Sequence, residues 1–150
     1  MKIDEIKTIV EQTGEDLKPK GDWPVLIFLS REDEDKKVIL VPSELMNNEY
    51  GKDIAAQMIS EAIRINRATR CAMVATAWLT TPDSGKKHEI VVLLFCDGPR
   101  QTAELHYASV LRRHKLHPGL AAWCFMPNTS VGGRFLEAIL PALSKLSRAA

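Results

Sequence analysis

The chain has 150 residues, 45% hydrophobic and 26% charged, with 20 basic and 19 acidic side chains for a net charge of +1. These proportions fit one globular domain over residues 1–150 and exclude a disordered chain, a collagen-like repeat and a disulfide scaffold. A chain of this length buries about 68–70% of its unfolded surface, so its core needs neither metal nor cross-link.

The first residues, Met1-Lys2-Ile3-Asp4-Glu5-Ile6-Lys7, carry acids and lack the apolar stretch of a secretory signal. Ile3, Ile6, Val10, Thr13 and Leu17 recur at helical spacing with charged residues between them, which predicts an amphipathic helix weakened at Gly14 and ended before Pro19. A turn at Gly21-Asp22-Trp23-Pro24 leads into Val25-Leu26-Ile27-Phe28-Leu29, a short run of strand formers. The charged stretch Arg31-Glu32-Asp33-Glu34-Asp35-Lys36-Lys37 then separates it from Val38-Ile39-Leu40-Val41, so the pair reads as a hairpin with a solvated tip. Its neighbouring lysines and missing glycine argue against a calcium loop.

A second helix is expected from Asn48 to Ala68, with Ile54, Met58, Ala62 and Ile65 as its apolar stripe, joined by Ile59. Gln57, Ser60, Glu61, Arg64 and Arg67 take the wet side. Three strands follow, Ala72–Thr80, Glu89–Asp97 and Thr102–Leu111, joined by links that carry Pro and Gly at hairpin lengths. Leu120 to Met126 reads as a sixth strand or a packed loop, and Gly132-Gly133 precedes a last helix, Arg134 to about Ser147, kinked or interrupted at Pro141.

The order helix, two strands, helix, three strands, helix places the chain in the α+β class. It implies a single antiparallel or mixed sheet of about five strands. This order resembles the profilin-like arrangement of longin and roadblock domains, and the resemblance implies helices covering one face of a five-stranded sheet. Val25 to Leu29 and Ile90 to Cys96 are apolar at consecutive positions, so both faces of those strands should be buried. The second face is then covered by the N-terminal helix, by the Trp123–Met126 segment or by a second copy of the chain. A homodimer through that face is one expectation.

Chemistry-bearing residues are sparse. Cys71, Cys96 and Cys124 form no CxxC pair and stand among apolar neighbours, as small buried hydrophobes do. Glu104 and His106 alternate along one strand and share a face, where His88 or His117 could complete a metal site or a carboxylate-oriented general base. His114 and His117 lie three apart, but Pro118-Gly119 argues for a turn. Gly132, Gly133 and Arg134 at a helix start would favour an anion, although neither the phosphate-loop nor the dinucleotide glycine pattern is present. Ser43 and Ser130 lack the GxSxG context of a serine hydrolase, and Asn128-Thr129-Ser130 matters as a glycosylation acceptor only in a secreted chain. Trp23, Trp78 and Trp123 read as core or interface anchors.

Charge is uneven along the chain. Residues 1–61 hold 14 acids and 8 bases, net −6; residues 62–150 hold 5 acids and 12 bases, net +7. Arg64, Arg67, Arg70, Arg112, Arg113 and Lys115 would make a basic patch for an acidic protein, a nucleotide or nucleic acid if those segments met, though for nucleic acid the aromatics sit in apolar runs rather than among the bases. The residues thus point first to a cytoplasmic protein–protein interaction domain that forms a homodimer, with no cofactor, metal or membrane span. A ligand-binding domain or enzyme using Glu104, His106 and the Gly132-Gly133-Arg134 helix start is the alternative, and a nucleic-acid binder the third reading.

Overall fold

The computed structural model describes residues 1–32, 35–126 and 133–145. Helix α1 (Ile3–Asp16) is followed by strands β1 (Val25–Ser30) and β2 (Lys37–Val41), a 3-10 turn (Ser43–Asn47) and helix α2 (Glu49–Asn66). Strands β3 (Arg70–Thr80), β4 (Lys87–Asp97) and β5 (Thr102–Leu111) come next, then the short β6 (Gly119–Leu120) and β7 (Cys124–Met126), and helix α3 (Arg134–Ala142). The sheet order is β2-β1-β3-β4-β5-β6, with β7 also on β5, and every ladder is antiparallel. The five long strands are those read from the sequence; the segment after Pro118 adds two short ones along the outer edge of β5.

Both sheet faces are covered within the chain. α2 and α3 lie over one face, where Ile59, Ile63 and Ile139 pack on Ile27, Met73 and Cys96. α1 lies over the other, setting Ile6 and Val10 on Phe28, Val74 and Leu93. The homodimer route through an open sheet face is therefore corrected: α1 occupies that face, assisted by Trp23, Leu120 and Trp123. The likeness to longin and roadblock domains holds for element order, while helices here occupy both faces.

α1 begins with Asp4 and Glu5 in its first turn, which suits the positive end of the helix. Gly14 does not break it. A Cβ there would stand 2.5 Å from the Trp23 ring, so the glycine admits the indole, whose Nε1 donates to the Val10 carbonyl at 2.8 Å. Pro24, which has no N–H to give a ladder, directly precedes β1.

α2 starts where Asn48 Oδ1 accepts the Gly51 N–H at 2.7 Å and ends at Arg67 in the left-handed region, φ 51°. Its buried stripe differs from the expected one. Gly51, Ala55, Ala56, Ile59, Ser60 and Ile63 face inward, whereas Met58 and Ile65 are exposed. Small residues let the helix axis come close to its neighbours: a Cβ on Gly51 would lie 2.3 Å from the Leu45 carbonyl oxygen. α3 is shorter than expected. Pro141 sits in its last turn and Leu143 is already extended.

Candidate functional site

The sites expected from the sequence are partly assembled and partly dispersed. Glu104 and His106 do meet: Glu104 Oε2 lies 3.3 Å from His106 Nε2. The ring is 8% exposed and packs on Phe125 with centroids 5.0 Å apart, so it is held as a covered side chain on the α1 face. His88 belongs to the opposite face, because it is an even-numbered β4 residue while Leu93, opposite His106, is odd. His117 turns Nδ1 toward the Pro118 carbonyl oxygen at 3.0 Å, and His114 is exposed in the turn before it. Among the described residues no cluster of three His, Cys, Asp or Glu side chains is placed to hold a metal ion.

Gly133 and Arg134 stand over the α2/α3 face, away from Glu104 and His106, so the alternative that joined the two pairs into one site does not assemble. Gly132, Ser130 and the Asn128-Thr129-Ser130 acceptor lie outside the described residues, as do Asp33 and Glu34 of the hairpin tip. Arg134 binds Glu49 and also Asp53, with Nε 2.9 Å from Asp53 Oδ1. That guanidinium, by hydrogen bond and charge, holds the Glu49 carboxyl below its ordinary range.

The basic residues divide between two ends of the sheet. Arg70 pairs with Asp97 at 3.3 Å near the end of α2, where Arg64 bonds Ser60 Oγ at 2.9 Å. Arg112, Arg113 and Lys115 follow β5 at the other end, nine residues along β4 from the Asp97 row, about 30 Å away. Arg112 is also neutralised, reaching Glu89 at 2.9 Å and Asp22 at 2.6 Å. Lys20, Arg113, His114 and Lys115 remain together as a small basic knuckle. The charge asymmetry along the chain thus resolves in part as pairing between its halves, through Arg112 with Asp22 and Arg134 with Glu49 and Asp53.

Cys71 and Cys96 are cross-strand neighbours and fully buried, whereas Cys124, expected inside, is exposed on β7. Burial, with a contribution from Cys96, drives the Cys71 thiol well up, and burial pushes Cys96 up to about 12. Both stay protonated and unreactive near neutral pH. A thiol-specific disulfide reagent should therefore titrate one cysteine per native chain, Cys124, and all three after denaturation. A native count of two or three would contradict this packing.

What the sequence reading does not locate is a set of exposed apolar side chains along the β2 edge and the neighbouring flank of α2. α2 lies over β1, and α3 over β4 and β5, so the α2 flank turned from α3 faces the β2 edge of the sheet. Lys37 at the start of β2 reaches Asn66 Oδ1 of α2 at 2.8 Å, which ties that edge to the helix end. Met58 is 47% exposed and Ile65 81% on this flank, and Tyr50 77% in the first turn of α2. Val38, 54%, and Leu40, 64%, stand on the other face of the same sheet edge, in register with Phe28 and Leu26 of the α1 cluster. Together these five account for half of the large apolar side chains exposed among the described residues. Ile54 is half-buried and extends the helix row.

The free edge of β2 has a defined polarity. The Thr81 N–H bonds the Lys86 carbonyl at 2.9 Å, so odd β3 residues bond toward β4 and even ones toward β1. Carried across the registers, β2 bonds inward through Lys37, Ile39 and Val41, and Val38 and Leu40 present their N–H and C=O groups outward. β2 pairs with no strand but β1 among the described residues.

A second open edge occurs on β3. β1 pairs it only from Val74 to Arg70, so Thr76 to Thr80 extend past β1 beside a notch of about 910 Å³ bordered by Pro24, Trp78 and Glu44. Of the tryptophans, Trp23 is core, Trp123 bonds Glu11 Oε1 at 3.0 Å to pin α1, and Trp78 is exposed on this edge. No described helix is long and apolar enough to cross a membrane. No protein-family model, curated protein or solved structure matches this chain.

Proposed function

We propose that this chain is a protein–protein interaction domain whose first partner is a second copy of itself, bound through the β2 edge and the adjoining flank of α2. The observation that carries this is the unpaired edge of β2, bordered by exposed Val38 and Leu40 on the α1 face of the sheet and by exposed Met58 and Ile65 of α2 on the other. An uncovered strand edge with apolar side chains is a template for another strand. The edge is self-complementary. Antiparallel pairing centred on Ile39 sets Val38 of one copy opposite Leu40 of the other, both in hydrogen-bonding positions. The same two-fold axis runs the two α2 helices antiparallel, with Ile54 and Met58 facing Ile65 and Met58 across it. Unpaired cysteines and buried neutral thiols suit a reducing compartment, and we place the protein in the cytoplasm.

Light scattering after size exclusion tests the proposal directly. The expected mass is twice the 16.8 kDa of one chain. Leu40→Lys with Ile65→Lys should weaken the dimer about a hundred-fold or more, as two lost anchors would, while circular dichroism stays unchanged because both side chains are exposed. A native chain that is monomeric throughout a concentration series would overturn the proposal. So would a dimer indifferent to the double substitution.

A further inference from the structure

On the α2/α3 face a cavity of about 530 Å³ opens between the N-terminal parts of α2 and α3. Its size falls within the about 300–1,000 Å³ of small-molecule sites. Its floor is Met73, Val92 and Leu105 from three successive strands, and Met46 and Phe135 stand at its sides. The only charged side chains among its described lining residues are Lys52 and Arg134, both cationic. Glu49 and Asp53 hold Arg134, and Lys52 lies 3.6 Å from Glu49, but neither acid lines the cavity. Among the described residues the adjacent start of α3 has no side-chain cap, so the positive end of the helix stands at the same rim.

We infer that this cavity binds a single-chain amphiphile with a carboxylate head, the alkyl chain on the strand floor and the carboxylate between Lys52 and Arg134. An apolar floor with few hydrogen-bonding groups does not suit a sugar or a nucleotide, and two cations at one rim favour an anionic head over a neutral or cationic one. The inference does not rest on self-association, since Met58 and Ile65 lie on the flank of α2 turned from α3.

The test is calorimetric titration of the intact protein with decanoate below its micelle concentration, beside decyltrimethylammonium, which carries the same chain and the opposite charge. Decanoate should bind saturably, one per chain, and the cation at least about ten-fold more weakly. In methionine methyl spectra Met46 and Met73 should move while the exposed Met58 does not. Lys52→Glu should weaken decanoate about ten-fold, and Ala77→Trp, a half-buried lining position, should abolish binding. Absence of saturable binding, equal binding of the two head groups, or a shift confined to Met58 would each overturn the inference. The methyl spectra decide the matter on the native chain even where a variant folds poorly.

Discussion

Phe28→Ala should lower the unfolding free energy by about 3–5 kcal/mol, read from urea denaturation of the purified chain. Phe28 is 1% exposed at the centre of the α1 face, with Val38 and Ala72 opposite it on the neighbouring strands and Ile6 and Val10 in the cluster above. Ala72 is already small, and the strand backbones on either side are fixed by their ladders. The space left by the ring therefore cannot close. A typical domain has only about 5–15 kcal/mol in total, so this one side chain carries a large share, and the melting temperature should fall by about 10 °C. Ile63→Ala on the opposite face, where Ile63 is 0% exposed, should cost about 2–5 kcal/mol. Comparable losses on the two faces are what a sheet covered on both sides within one chain requires. A loss under about 1 kcal/mol for Phe28→Ala would mean that α1 does not cover its face.

Gly98→Ala is the second large effect, expected at about 3 kcal/mol. A Cβ there would stand 2.3 Å from the Ser144 carbonyl oxygen and 2.9 Å from that of Thr69. Both obstacles are backbone, so no side chain can rotate away. The same place is stitched by the Gly98 N–H to Thr69 carbonyl bond, 2.7 Å, and the Ser144 N–H to Ala68 carbonyl bond, 2.9 Å. The methyl group must push the segment after α3 off the β4–β5 turn, loosening Leu143, which is 3% exposed. Limited proteolysis should then cut near Leu143 in the variant and spare the native chain. Gly85 is the control. A Cβ there meets nothing within 4 Å, and only its φ of 65° is strained, so Gly85→Ala should cost about 1–2 kcal/mol and leave Leu143 protected. Equal behaviour of the two alanine variants would show that the steric contact at Gly98 is not what matters.

The long strands were legible because Val25–Leu29 and Ile90–Cys96 are unbroken apolar runs, a pattern that reports burial on two sides without reference to strand order. The face of α2 was not. Ile54, Met58, Ala62 and Ile65 follow the helical period as well as Ala55, Ile59 and Ile63 do, and side-chain size favours the first set. Packing selected the second, since close approach to the 3-10 turn and the sheet requires Gly51, Ala55 and Ala56. The exposed apolar row of α2 is thus visible in the pattern, but the sequence alone places it in the core. Which strand forms an edge depends on pairings distant in the chain, so the exposure of Val38 and Leu40 had no local signal. β6 and β7 span two and three residues, too short for any periodicity. The separation of Arg70 from Arg112 follows from the length and register of β4 rather than from anything near either arginine.

The division of the two sheet faces between α1 and the α2/α3 pair also orders events during synthesis. α1 is made first, and of the strands it covers only β1 follows closely; β3 and β4 come more than fifty residues later, so most of its apolar side waits without a surface. α3 follows every described strand, and until it is made the part of the sheet beneath Ile139 stays bare. Neither face can be completed by neighbours in sequence alone. The chain therefore commits to its fold late and through distant contacts, which makes for slow folding and a nascent chain that gains from shielding by chaperones.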